Sequence, residues 1–145
     1  YENNPAYFET YGCLYNWYTA TSGNICPDGW HLPTFEEWEQ LRNFIAGEGH
    51  QNQEGNALKT TTGWEGNGNG TNNYGFSALP GGSSMTSWDS APFYRVVGYI
   101  GFWWSEIETS STRARDLLLN NDRTDFDWHN DDKQRGFSVR CVRDQ

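Results

Sequence analysis

The sequence predicts an α+β domain, with one well-marked helix early, an irregular middle and short antiparallel strands late. Three observations carry this. A capping box introduces apolar residues at helical spacing after Thr34, glycine and asparagine dominate residues 63–82, and Phe137, Val139 and Cys141 alternate with Ser138, Arg140 and Val142. At 145 residues the chain has the length of a single domain spanning 1–145.

Residues 1–33 are aromatic and turn-rich. Thr34 then makes a good N-cap, and Glu37 three residues on completes the box. Trp38, Leu41, Phe44 and Ile45 follow on one helical face, and Gly47 is the expected stop. Glu36, Glu37 and Glu39 suit the positive end of the helix dipole, so they read as structural and not as acid/base groups. A weaker helix is expected over 56–61. The run Gly66-Asn67-Gly68-Asn69-Gly70-Thr71-Asn72-Asn73 cannot be helical, and without GxxxxGK[ST] it is no phosphate cradle. Strands are expected at 76–79, 96–97, 102–105, 115–119 and 136–142. Adjacent Trp103 and Trp104 would face opposite sides of their strand, with at least one in the core.

Composition narrows the function. Nineteen acidic against ten basic residues give a net charge of −9, which disfavours nucleic-acid binding through phosphate neutralisation. Only 35% of residues are apolar, yet 17% are aromatic, with eight Trp, so the chain folds around a few large rings. No apolar run is long enough to span a membrane. Cys13, Cys26 and Cys141 show neither CxxC nor zinc spacing. An odd count leaves open three reduced thiols, one bridge with a free thiol, or a partner cysteine outside this chain. A Cys26–Cys141 bridge is favoured, because each of these cysteines borders an apparent structured block, and it implies an oxidising compartment. Tyr1 is not a start residue, so the chain is read as part of a longer protein.

Several blocks together resemble one family: Tyr11-Gly12-Cys13-Leu14-Tyr15-Asn16-Trp17-Tyr18, Cys26-Pro27-Asp28-Gly29-Trp30-His31-Leu32-Pro33-Thr34 with Glu37-Trp38, Asn72-Asn73-Tyr74-Gly75-Phe76-Ser77-Ala78-Leu79-Pro80-Gly81-Gly82, Trp103-Trp104-Ser105, and Gly136-Phe137-Ser138-Val139-Arg140-Cys141-Val142. In order and spacing they resemble the Fibrobacter succinogenes major paralogous domain, frequent in secreted and surface proteins of gut Bacteroidetes. Leu32-Pro33-Thr34, Glu37-Trp38, Gly136-Phe137 and Arg140-Cys141 are similar in turn to the formylglycine-generating enzyme and sulfatase-modifying factor group, a branch of the C-type lectin fold. The resemblance implies two helices around a small twisted antiparallel sheet, with long loops carrying function.

The enzymatic branch does not carry over by motif. Its reactive cysteine pair should precede the closing strand, and residues 86–135 hold no cysteine. No Ser-His-Asp set or HExxH replaces it, and His31 reads as a structural residue fixing a turn. The stretch Asp127-Trp128-His129-Asn130-Asp131-Asp132 weakly resembles the lectins' Trp-Asn-Asp calcium motif, but a histidine interrupts it and the Glu-Pro-Asn partner is missing. It reads as a solvated acidic loop, with a weak calcium site as the alternative and no cofactor expected.

Residues 94–135 mix charged, aromatic and aliphatic side chains without a clean period. Some family members resemble variable proteins of diversity-generating retroelements, which are mutated at adenines of asparagine codons. The implied variable, ligand-binding positions are Arg95, Tyr99, Ile100, Phe102, Arg113, Arg115, Asp116, Leu118, Asn120, Asp122, Arg123, Asp125, Asp127, Trp128, His129, Asn130 and Asp131, with Val96, Asp132 and Arg135 beside them. Leu117 is not reachable by adenine mutagenesis from the family's usual Arg. Alternating strand residues would present one face to ligand and keep the other in the core. Residues 1–93 hold two basic and ten acidic side chains, against six and eight in 94–135, so the face is nearly balanced. Trp17, Trp30, Trp38, Tyr74, Phe76, Trp103, Trp104 and Phe137 are expected in the core. Tyr94, Tyr99, Phe102 and Trp128 are expected to meet ligand.

The expected function is non-catalytic binding of a protein or glycan on a cell or host surface. The module would belong to a secreted, cell-surface or phage protein, as an adhesin or receptor-binding domain. The alternatives are a structural surface domain without a ligand and, less favoured, a formylglycine-generating type of enzyme.

Overall fold

A computed structural model describes residues 5–86 and 92–145. Helices α1 (Pro5–Tyr11), α2 (Trp17–Ala20), α3 (Phe35–Ile45) and α4 (Glu54–Leu58) occupy the first half, with the two-residue strand β1 (Trp30–His31) before α3. Strands β2 (Ser83–Thr86), β3 (Pro92–Arg95), β4 (Ile100–Glu108), β5 (Arg113–Asn120), β6 (Asp127–Asp132) and β7 (Val142–Arg143) follow. All strand pairs are antiparallel: β1 with β7, β2 with β3, and a three-stranded sheet ordered β4-β5-β6. The chain is thus a mixed helix-and-sheet domain, as the sequence predicts.

α3 begins as expected. The Thr34 hydroxyl accepts from the Glu37 N–H, and the Glu37 carboxylate accepts from the Thr34 N–H. Its stop is later than Gly47. A π-helical turn, Ala46–His50, continues the helix until Gly49 turns left-handed at φ +93°. The weaker helix is α4, two residues earlier than expected, because Lys59 already has an extended backbone.

The strand expectations need larger corrections. Val96 lies in a turn with φ +62°, so 96–97 is no strand and β4 starts at Ile100. The stretch 136–142 is fragmented. Gly136, Phe137 and Ser138 make isolated bridges to Ser84, Tyr15 and Trp103, and only Val142–Arg143 forms a ladder, on β1. In 76–79 only Ala78 pairs, with Lys59. Residues 127–132, read from their polarity as a loop, form the outer strand β6.

Both faces of the β4-β5-β6 sheet are covered. Trp103, Leu117 and Leu119 join Trp38, Ile45, Leu58, Trp64 and Phe126 in one cluster. Phe102, Trp104, Ala114 and Leu118 join Ala20, Leu32 and Phe137 in a second. Trp17, Tyr74 and Phe76 pack partly buried against these clusters, as core residues of the expected kind. Trp30 does not. On a two-residue strand it stays 44% exposed.

Cys26 and Cys141 are bridged, with Cα atoms 5.7 Å apart, while Cys13 is a free, exposed thiol. Closing so long a loop stabilises the fold by up to about 4.7 kcal/mol in the chain-entropy model. No helix among the described residues is long and apolar enough to cross a membrane.

Candidate ligand-binding face

The loop joining β5 to β6 is positioned through its backbone. The Lys59 ammonium, 2% exposed, donates to the carbonyls of Asn120 (3.0 Å) and Arg123 (2.8 Å). The Asn56 N–H donates to the Thr124 carbonyl at 2.7 Å, and the Asn121 N–H to the Tyr99 carbonyl at 2.8 Å. Glycine lets these segments meet: a Cβ at Gly55 or Gly68 would collide with the backbone of Asp125 or Asn121. Burial lowers the Lys59 pKa, against the opposing charges of Asp122 and Asp125. The ammonium also lies over the Trp64 ring, 5.2 Å from its centre.

On this frame Asp122 and Arg123 are exposed, and Asn120, Asp125 and Asp127 are intermediate. Arg123 pairs with Asp125 (2.8 Å) and Asp127 (2.7 Å). The hydrogen bond from Arg123 holds the Asp125 carboxyl below its ordinary pKa, although partial burial opposes it. Tyr99 is 49% exposed beside this loop. Along β6, His129 and Asn130 are exposed, and Arg113 of β5 reaches across to the Asn130 carbonyl. The side chains of Tyr94 and Arg95 lie outside the described residues.

Other expected positions serve packing. The Trp128 indole donates to Glu39 (2.7 Å) and its ring lies 4.9 Å from Phe35, over which Arg115 stacks at 4.9 Å. This ties α3 to the sheet and leaves Trp128 and Arg115 only partly exposed. Phe102 and Leu118 are corrected from ligand-facing to core. They are 7% and 8% exposed, and Phe102 stacks on Phe137 at 4.6 Å. Ile100 is partly buried against the same cluster. Alternation does not separate a ligand face from a core face here, because neither face of β4 and β5 is left to solvent.

Asp116 is also buried. Its residue has 0% exposure, and neither carboxylate oxygen has a hydrogen-bond partner. Burial, reinforced by the charge of Asp131 and opposed by Arg135, pushes its pKa up to about 8. Asp131 itself is paired with Arg135 at 2.6 Å. Among the described residues no group of three or more His, Cys, Asp or Glu is placed to hold a metal ion.

His31 fixes a junction. Its Nδ1 lies 2.6 Å from Asp144 and its Nε2 2.9 Å from Glu37, and these hydrogen bonds raise its pKa, Asp144 contributing most. Partial burial would raise the Glu37 pKa, but the bonds from Thr34 and His31 hold it below the ordinary value.

Sequence reasoning missed Lys59, Asn56 and Glu39 as supports of the face. Lys59 carried a signal, being one of only two basic residues in the first 93.

No curated protein and no solved structure matches the chain. A family model described as the Fibrobacter succinogenes major domain matches residues 1–143. Nearly the whole chain is covered by that match, and it belongs to this family.

Proposed function

We propose that the chain is a non-catalytic binding module with a C-type-lectin-like fold, an adhesin or receptor-binding domain of a larger secreted, cell-surface or phage protein. Its ligand is a protein or glycan, met by Tyr99, Arg113, Asp122, Arg123, Asp127, His129 and Asn130. The observation that carries this reading is the anchoring of loop 120–125 through its carbonyls by Lys59 and Asn56. Contacts of this kind hold the loop's course while its outward side chains are free to differ, which is what a diversified binding surface requires. The exposed Tyr99 ring, whose carbonyl accepts from Asn121, and the charges of Arg123 and Asp125 in the same loop and of Asp127 at its end suit a mixed apolar and polar partner. The Cys26–Cys141 bridge supports an oxidising compartment.

Two experiments test it. In the coding DNA, a nearby near-copy of the segment differing only at adenines, with a reverse transcriptase, is expected; absence of both rejects retroelement diversification. In a screen on cell surfaces and glycan arrays, replacing Tyr99, Arg113 and His129 together by Ala should weaken binding at least about tenfold. Unaltered binding rejects the face.

A further inference from the structure

Away from that face, two adjoining clefts share Arg140 and Cys141. One of about 260 Å³ lies between α3 and the closing segment, walled by Pro33, Trp38, Leu41, Phe76 and Val142. The other, about 230 Å³, continues past Ser77 and Ser138. The Arg140 guanidinium stands where they meet. It stacks on the Phe76 ring at 4.4 Å and donates to the Phe76 carbonyl at 2.6 Å. Arg42, Arg123 and Arg135 each pair with a carboxylate, whereas among the described residues Arg140, like Arg113, Arg115 and Arg143, has none within ion-pair distance, and of these four it alone lines the two clefts. Phe76 covers one face of the guanidinium while the residue stays open to solvent, so a ligand can reach it. Glu37, on the cleft wall, is already taken by His31 and Thr34.

We propose that this trough binds a small amphipathic carboxylate, its anionic head paired with Arg140 and its apolar body lying against Leu41, Phe76 and Val142. A planar guanidinium with free N–H groups matches a carboxylate, and a neighbouring apolar cleft of this size accepts a short alkyl or aryl chain.

The test is an amide NMR titration of the disulfide-intact domain with octanoate, 3-phenylpropanoate and the neutral 3-phenylpropanamide. Saturable shifts at Leu41, Phe76 and Val142 are expected with both acids, and binding about tenfold weaker for the amide. Arg140→Gln should weaken the acids to the level of the amide. Leu41→Trp, which fills the apolar part of the cleft, should abolish binding while leaving the spectrum folded. The proposal is overturned if neither acid gives saturable shifts up to about 10 mM, well above ordinary ligand affinities, or if the amide binds as well as the acid.

Discussion

Trp103 and Trp104 are neighbours in the chain, yet they are buried in separate hydrophobic clusters on opposite faces of β4, at 4% and 0% exposure. Each is therefore a core residue in its own right. Trp103→Ala and Trp104→Ala should each cost about 3–5 kcal/mol in urea unfolding. Leu118→Ala tests the second face separately. It should cost about 2–5 kcal/mol, whereas on a wet surface the change would stay within about 0.5 kcal/mol.

Asp116 gives stability a pH dependence of its own. Above about pH 3.8 the unfolded chain has released this proton, while the folded protein keeps it until about pH 8. Stability therefore falls as pH rises through that window. Asp116→Asn should remove this slope, raising Tm most at pH 8 and converging with the parent toward pH 4. Calorimetry at several pH values giving parallel curves for the two proteins would contradict this.

The His31 junction acts in a higher window. Its folded pKa lies above the ordinary 6.5, so its contribution is complete below pH 6.5 and is lost as pH rises through the raised value. NMR titration of the imidazole should show the raised pKa. Asp144→Asn should lower it more than Glu37→Gln, since Asp144 contributes the larger part.

Lys59→Met keeps most of the packed stem but leaves the carbonyls of Asn120 and Arg123 without their donor. About 1–3 kcal/mol of stability should be lost for each carbonyl left unsatisfied in a buried setting. Hydrogen exchange at 120–125 should quicken more than exchange in β4, and binding through the proposed face should weaken. Uniform exchange changes would argue against a local anchor.

How far the sequence disclosed this architecture depended on the kind of signal. The start of α3 was legible because Thr34 and Glu37 satisfy the helix's free N–H groups locally. The Cys26–Cys141 bridge followed from where the two cysteines stood. Strand β6 was hidden because Asp127, His129, Asn130 and Asp131 have loop-like polarity, and their pairing with β5 is a tertiary fact. α1 and α2 are too short for a periodicity to show. Of the positions expected to face outward, Tyr99, Arg123 and His129 are exposed, but Phe102, Asp116 and Leu118 are buried, because the expectation assumed one dry and one wet sheet face. Strands covered on both sides defeat that assumption.

The Cys26–Cys141 bridge also decides how the domain would respond to being pulled. Tension entering before residue 26 and leaving after residue 141 passes through one covalent bond. The residues between them, with α3, both hydrophobic clusters and the β5–β6 loop, bear none of that load. Only segments outside the bridge can be peeled away, such as α2, whose Trp17 N–H is held by the Lys133 carbonyl. A force that strips such segments would leave the bridged region unextended, so a ligand held there would not be released by stretching of its scaffold.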